Sequence, residues 1–337
     1  MTLYAYTLRR LVQLIPLLIG LSLLTFTISR VLPGDPVGLA AGPQATEQIK
    51  EALRQEFGLD QPLPVQYLNY MRNLFAGDWG QSLYSRRAVL ADLKAFFPAT
   101  LELTLVAVLL GTILGVPAGV TSAYFQNRLP DHLTRVVALF FVSFPAFWLA
   151  MIFQMALGRE LGWFPIGKRF DVRIAAPAGY TGLYLLDSLL QLDFNAFRMA
   201  LRHIATPALV LSFGSLASIT RITRASVLDV LRRDYVRTAH SKGLGRVTVL
   251  TRHVLRNAAN GIITMVALEF GWLMAGAVLV ETIFDWPGLG LYVVESSLRL
   301  DFEPIMGITI LYGIVFSLVN IATDLVYGII DPRIRYG

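Results

Sequence analysis

Six separate stretches of this chain are apolar over about twenty residues, at 10–30, 99–123, 134–158, 204–226, 257–281 and 305–330. A helix needs roughly 20 mostly apolar residues to cross a bilayer's hydrocarbon core, and it must satisfy its own backbone polar groups there. The chain therefore reads as an all-α polytopic membrane protein with six transmembrane helices. Charge agrees, since 15% of the 337 residues are charged, against about 25% in an average soluble domain. The first stretch follows Arg9 and Arg10 and is longer than a signal-peptide core. No small-residue cleavage site follows it, so it reads as a retained helix. In the second, Gly111, Gly115 and Gly119 recur every four residues, which suits close helix packing, with a moving hinge as the sharper alternative. Pro117 should kink that helix. The fourth is the least apolar. It carries Ser212, Ser215, Ser218 and Thr220, a pattern that fits a helix lining a polar cavity.

Between the fourth and fifth stretches lies a basic segment, Arg221 to Arg256, with nine Lys/Arg and two Asp. Cytoplasmic loops of membrane proteins carry the positive excess, so this segment is expected inside, with 124–133 and the tail 331–337. The loop 281–303, with five acids and one Arg, is expected outside. The loop 159–203 runs against the rule with six bases and four acids, yet both termini inside remains the better fit. The first outer loop, 31–98, is too long for a simple connection. Pro33-Gly34-Asp35-Pro36 signals a turn, and a helix is expected over 45–57 with Thr46 as N-cap and Gly58 as stop. A second short helix is expected over 63–75. The organisation read from the chain is thus a cytoplasmic N-terminus and first helix (1–30), a folded extracytoplasmic loop (31–98) and a transmembrane core (99–330). That core contains a cytoplasmic loop at 221–256, and a tail follows at 331–337.

Chemistry-bearing motifs are few. Gly162 to Lys168 matches the glycine and lysine spacing of a phosphate-binding loop. Arg169 then stands where a magnesium-binding Ser or Thr is required, and the segment is expected outside. No nucleotide site, cofactor site or metal site is therefore expected in this chain. There is no cysteine, and the four histidines (132, 203, 240, 253) lack metalloprotease spacing. An enzyme is not expected. The net charge of +6 lies beside the spans, where orientation explains it better than nucleic acid. Glu102, Glu269 and Asp324 fall at membrane depth, where ionisable groups are costly and are functional candidates. With Ser212 and Ser215 they form a candidate translocation path. In the basic segment, Leu231, Tyr235, Val236 and Ala239 recur at helical spacing and Gly243 and Gly245 stop the helix. Val247, Leu250 and Val254 start a second stripe. Two readings stay open on pattern alone: a headgroup-facing basic helix, or a knob that docks into a partner's groove.

Asp234-Tyr235-Val236-Arg237-Thr238-Ala239-His240-Ser241-Lys242-Gly243-Leu244 resembles the EAA loop of ABC-importer membrane subunits, in the form of the dipeptide/oligopeptide/nickel permease family. Further segments, in order along nearly the whole chain, resemble the same family. They are Leu32-Pro33-Gly34-Asp35-Pro36, Phe57-Gly58-Leu59-Asp60-Gln61-Pro62, Pro98-Ala99-Thr100-Leu101-Glu102, Ser143-Phe144-Pro145-Ala146-Phe147-Trp148, Glu281-Thr282-Ile283-Phe284-Asp285-Trp286-Pro287-Gly288 and Asp331-Pro332-Arg333. The long first loop resembles the first of that family's two permease subunits. The resemblance implies the ABC-importer permease fold and a multi-pass place in the bacterial inner membrane. It implies as partners a second homologous permease, two cytoplasmic ATPases that bind ATP and Mg, an extracytoplasmic binding protein, and lipid. It assigns ATPase coupling to Asp234, Tyr235, Arg237, Thr238, Ala239, Lys242 and Gly243, with Ala239 permitting close packing and Gly243 the turn. The expected cargo is di- or oligopeptide, with glutathione or a nickel chelate as same-scaffold alternatives. A proton-driven secondary transporter using Glu102, Glu269 or Asp324 is the alternative from another class. One departure is Gly261, after Asn257-Ala258-Ala259-Asn260, where the family often has Pro.

Overall fold

A computed structural model describes residues 3–31, 36–42, 45–56, 58–177 and 179–330. Most of Leu32-Pro33-Gly34-Asp35-Pro36, with Phe57 and the segment 331–337, lies outside the described residues. In chain order the helices are α1 (Leu3–Val31), α2 (Pro36–Ala41), α3 (Glu47–Glu56), α4 (Leu63–Phe75) and α5 (Val89–Tyr124). Then come α6 (Leu129–Val142), α7 (Ala146–Phe153), α8 (Tyr184–Leu190), α9 (Phe194–Leu231) and α10 (Asp234–Ser241). The last are α11 (Arg246–Thr248), α12 (Arg256–Gly276), α13 (Val278–Ile283), α14 (Leu289–Leu298) and α15 (Phe302–Ile330). Two π-helical turns, Gln154–Glu160 and Val249–Leu255, extend α7 and lead into α12. Among the described residues the sole extended pairing is the isolated bridge between Gln81 and Ala88.

Among the described residues, five continuous helical stretches are long and apolar enough to cross a membrane: Arg9–Arg30, Val89–Tyr124, Phe194–Leu231, Arg246–Gly276 and Phe302–Val326. The expected third span, 134–158, is not a single rod. It is the pair Leu129–Val142 and Ala146–Glu160, bent by 92°. Pro145 causes the break. It has no N–H to bond back into α6 and sits at φ −59°, ψ 136°, and a proline disfavours helical geometry in the residue before it. By contrast α5 runs without interruption through Pro98 and Pro117. α9 starts ten residues before the apolar stretch that announced it, because Asp193 caps its first turn by accepting from the Asn195 and Ala196 N–H groups. Its 38 residues make a rod of about 57 Å at 1.5 Å per residue. That exceeds the roughly 30 Å hydrocarbon core, so its ends reach beyond it.

Packing divides the chain into two compact units, 2–100 with 287–318, and 101–286 with the chain from 319 on. In the first, α1 meets α4 through Phe26 against Tyr67 and Tyr70, with ring centroids 5.3 and 6.1 Å apart. Burial there pushes the Tyr70 phenol pKa well above its ordinary value. The expected short helices form as α3 and α4. Gly58 turns the chain after α3 at φ +62°, with the Leu59 N–H bonding back to the Arg54 carbonyl at 2.8 Å. Asp301 ties down the segment before α5, accepting from the Ser82 hydroxyl at 2.5 Å and the Leu83 N–H at 3.1 Å.

In the second unit α9 is the central element, touching α6, α7, α8, α10, α12 and α13. The glycine series of α5 packs on it. A Cβ at Gly115 would meet the Leu216 carbonyl and the Ile219 side chain at 3.1 Å, and one at Gly119 would meet the Thr220 carbonyl and Thr223 Cβ at 2.6 Å. A Cβ at Gly111 would run into the Ser215 hydroxyl. The Thr220 hydroxyl also donates across the seam to the Gly115 carbonyl at 3.3 Å. Close helix packing is what the four-residue spacing produces.

Candidate functional site

The basic segment is not one loop. Its first eleven residues continue α9, and the chain leaves that helix at Arg232. Arg233 is extended (φ −76°, ψ 144°) and opens α10, an eight-residue helix whose first turn carries Asp234 where the helix dipole favours an anion. The Asp229 carboxylate, 2.8 Å from Arg233, raises the Arg233 pKa above its ordinary value. α10 ends in a Schellman arrangement. The Gly243 N–H bonds to the His240 carbonyl at 2.9 Å, and the Leu244 N–H reaches the Ala239 carbonyl at 3.3 Å. Gly243 sits at φ +79° with nothing within 4 Å of where a Cβ would stand. Its requirement is conformational, since a side chain has space there but not a comfortable backbone.

Burial sorts the residues of α10 into two faces. Val236 is 1% exposed and Ala239 5%. Both enter an apolar cluster with Ala123 of α5, Val227 and Val230 of α9, and Val249 and Val254 of the π-turn. Asp234, Tyr235, Arg237, Thr238, His240, Ser241 and Lys242 are exposed. This corrects one expectation: Tyr235, 44% exposed, does not share the apolar face with Val236. Ala239 packs closely against this chain's own core. Val236, part of the expected apolar stripe but not of the expected coupling set, is the anchor, and burying a Val side chain contributes about 1.5–3 kcal/mol.

The elements around α10 are irregular. The chain re-enters the spanning region through the π-helical turn Val249–Leu255, a feature that often marks functional sites. Gly261 then allows α12 to approach α9, for a Cβ there would lie 2.7 Å from the Ser226 hydroxyl. At this departure from the family's frequent proline, the structure uses the glycine for contact between helices. Nearby, Asp131 is fully buried and accepts a bidentate pair from Arg224 of α9, with both distances 2.9 Å. The Ser122 hydroxyl and the Asn127 N–H complete it at 2.6 and 2.9 Å. Asp131 falls in the segment 124–133, which was expected only to lie inside. Nothing in its local pattern pointed to Arg224, ninety-three positions away.

The candidate path residues lie in unlike surroundings. Glu102, 5% exposed, forms an ion pair with Arg169 at 2.7 Å and accepts the Leu185 N–H at 2.7 Å. Arg169 also donates to the Gly182 carbonyl at 2.6 Å and stacks on Tyr184, 3.7 Å from the ring centroid. The residue that spoils the phosphate-loop match is therefore a structural counter-ion. Ser212 and Ser215 are buried and bond to carbonyls of their own helix, those of Leu209 at 2.7 Å and Ser212 at 3.0 Å. Glu269 on α12 faces Ser218 and Arg221 of α9. Asp324 is half-buried near the end of α15. The structure brings Glu269 to the serine-bearing face of α9 and keeps Glu102 with Arg169.

Comparison with known proteins gives concordant matches. The family described as "Binding-protein-dependent transport system inner membrane component" matches residues 115–336, and its N-terminal companion matches residues 3–104. The chain is 42% identical over 337 residues to a probable D,D-dipeptide transport system permease protein of Escherichia coli, covering 100% of this chain and 99% of that one. It is 40% identical over 332 residues to a dipeptide transport system permease protein of Alkalihalophilus pseudofirmus, covering 98% and 99%. It is 39% identical over 332 residues to an Escherichia coli glutathione transport system permease protein, with the same coverage. Among solved structures, the inward-facing MetNI methionine ABC transporter shares the fold at TM-score 0.50 and 13% identity, covering 69% of this chain and 93% of that one.

Proposed function

This chain belongs to the family of binding-protein-dependent transport system inner membrane components, and we propose that it is the permease subunit through which short peptides are imported. α10 is the part that receives work from the ATPases. One observation carries this reading: an eight-residue helix held to the membrane core by Val236 and Ala239 while its whole polar face is left exposed. A helix meant to lie on headgroups would turn its apolar side outward to lipid. This one turns its apolar side inward and presents Tyr235, Arg237, Thr238 and Lys242 outward. Asp234 and Gly243 fix its two ends.

The partners follow from the same reading. They are a second homologous permease, two cytoplasmic ATPases that hold ATP and Mg, and an extracytoplasmic binding protein that delivers the cargo. Both termini and α10 face the cytoplasm. Dipeptide cargo is favoured because two of the relatives above are named for dipeptides; the glutathione relative supports a small peptide-like solute as the second choice. Within the spans, Glu269 beside Ser218 is the path residue we favour, with Asp324 second. Glu102 is committed to Arg169, which weakens a proton-driven mechanism through it.

The test is uptake of a labelled dipeptide into proteoliposomes holding the whole assembly. Uptake is expected to require internal ATP and external binding protein, and to persist when the proton gradient is dissipated. Uptake that ignores ATP and follows the proton gradient would overturn the reading.

A further inference from the structure

A pocket of about 540 Å³ opens within the unit formed by 2–100 and 287–318, against the end of α1, the α4 region and the start of α15. Its volume falls in the range of small-molecule sites. Four charges stand in its wall, Arg30 and Arg72 against Asp78 and Glu303, and they sum to zero. Arg30 and Glu303 are 3.6 Å apart, close enough to attract but too far for a good hydrogen bond. Gly80 keeps the Glu303 carboxylate reachable, since a Cβ there would lie 2.9 Å from Oε2.

Gln66 is held in place in this wall, because its amide nitrogen donates to the Gln61 carbonyl at 2.7 Å and to the Leu59 carbonyl at 3.3 Å. The Arg30 Nε, the Gln66 Oε1 and the Tyr70 hydroxyl have no hydrogen-bond partner, but all three are closed off from solvent behind the wall. The groups that can recognise a ligand are therefore the charged ends. An anion alone would meet Asp78 and Glu303, and a cation alone would meet Arg30 and Arg72. A molecule with separated ammonium and carboxylate ends pairs with both sets.

We infer that this pocket binds a short zwitterionic peptide, its ammonium toward Glu303 and Asp78 and its carboxylate toward Arg30 and Arg72. The site is in addition to the path between the helices, and the inference rests on the peptide-importer reading. It gives the cargo a holding place on the permease itself, independent of the binding protein.

Equilibrium dialysis tests it, with radiolabelled L-alanyl-L-alanine and the whole transporter in nanodiscs without binding protein. Saturable binding is expected, weakened at least tenfold by Glu303→Gln and by Arg72→Gln, and not competed by N-acetyl-dialanine amide, which lacks both charges. Arg72 is exposed on α4, so its variant reports on the pocket even if Glu303→Gln fails to assemble. Absence of saturable binding, binding unchanged in the variants that assemble, or equal competition by the blocked peptide would overturn it. ATP-driven uptake of the same dipeptide, with binding protein added, separates the two readings. Uptake without binding in dialysis removes the pocket alone, whereas absence of both removes the peptide-importer reading and the pocket with it.

Discussion

The Glu102–Arg169 pair and α10 belong to the same compact unit and are held by opposite physics. Around Glu102, two charges nine-tenths or more buried are locked by short hydrogen bonds, a backbone N–H and an aromatic face. α10 rests on two apolar side chains and a glycine turn, and nearly every polar group it carries is exposed. The first region has no surface left to offer a partner. The second spends little on its own attachment and keeps a full face free. A charge buried in a membrane protein is therefore not sufficient to mark a transport site, and an exposed polar face on a thin apolar anchor is the better sign of a working contact.

Removing charge should separate the regions most strongly. Arg169→Met leaves the Glu102 carboxylate buried without a counter-ion, which costs about 3–5 kcal/mol. The expected outcome is loss of folded protein in detergent-resistance or thermal-unfolding assays, with substantial recovery in Glu102→Leu/Arg169→Met. Equal stability of Arg169→Met and the parent would place the pair among solvated surface contacts.

A smaller effect is expected at the anchor of α10. Val236→Ala removes two methyl groups from a packed cluster, worth about 2 kcal/mol at ~0.8 kcal/mol per carbon plus a cavity contribution. The loss should be local. Hydrogen exchange or limited proteolysis should show α10 opening while the other helices stay protected. Opening that spreads to α9 would mean that the helix is no separate module.

Smallest is the glycine turn. Gly243→Ala forces a side chain into left-handed backbone, at a cost of about 1 kcal/mol, and global stability should hardly move. Peptide-stimulated ATP hydrolysis should nonetheless fall well below the parent, because the helix end is re-aimed. Unchanged stimulation would show that the turn angle does not matter.

Much of this was legible in the chain. Apolar length alone located the membrane segments, since the bilayer imposes one period and one minimum on every span, and Gly58 ended its helix as turn chemistry requires. The break at Pro145 was missed because hydropathy sums over a window and does not register a lost N–H. α10 was legible as a helix, but its faces were not. Tyr235 and Val236 are neighbours, 100° apart on the helix, and which one turns inward depends on Val249 and Val254, supplied by the chain beyond Gly243. Long-range ion pairs were the least legible. Arg169 lies 67 positions from Glu102 and looked like a defect in another motif.

The chain has no cysteine, so single cysteines can report on α10 directly. Tyr235→Cys, Thr238→Cys and Val236→Cys, each labelled with a maleimide–benzophenone photo-crosslinker in the assembled transporter, compare the two faces in one measurement. Crosslinks to the ATPase subunit are expected from positions 235 and 238, while position 236 should resist labelling or crosslink within the permease. Equal ATPase crosslinking from all three positions, or capture from 236 alone, would contradict a docking face built from the polar side of α10.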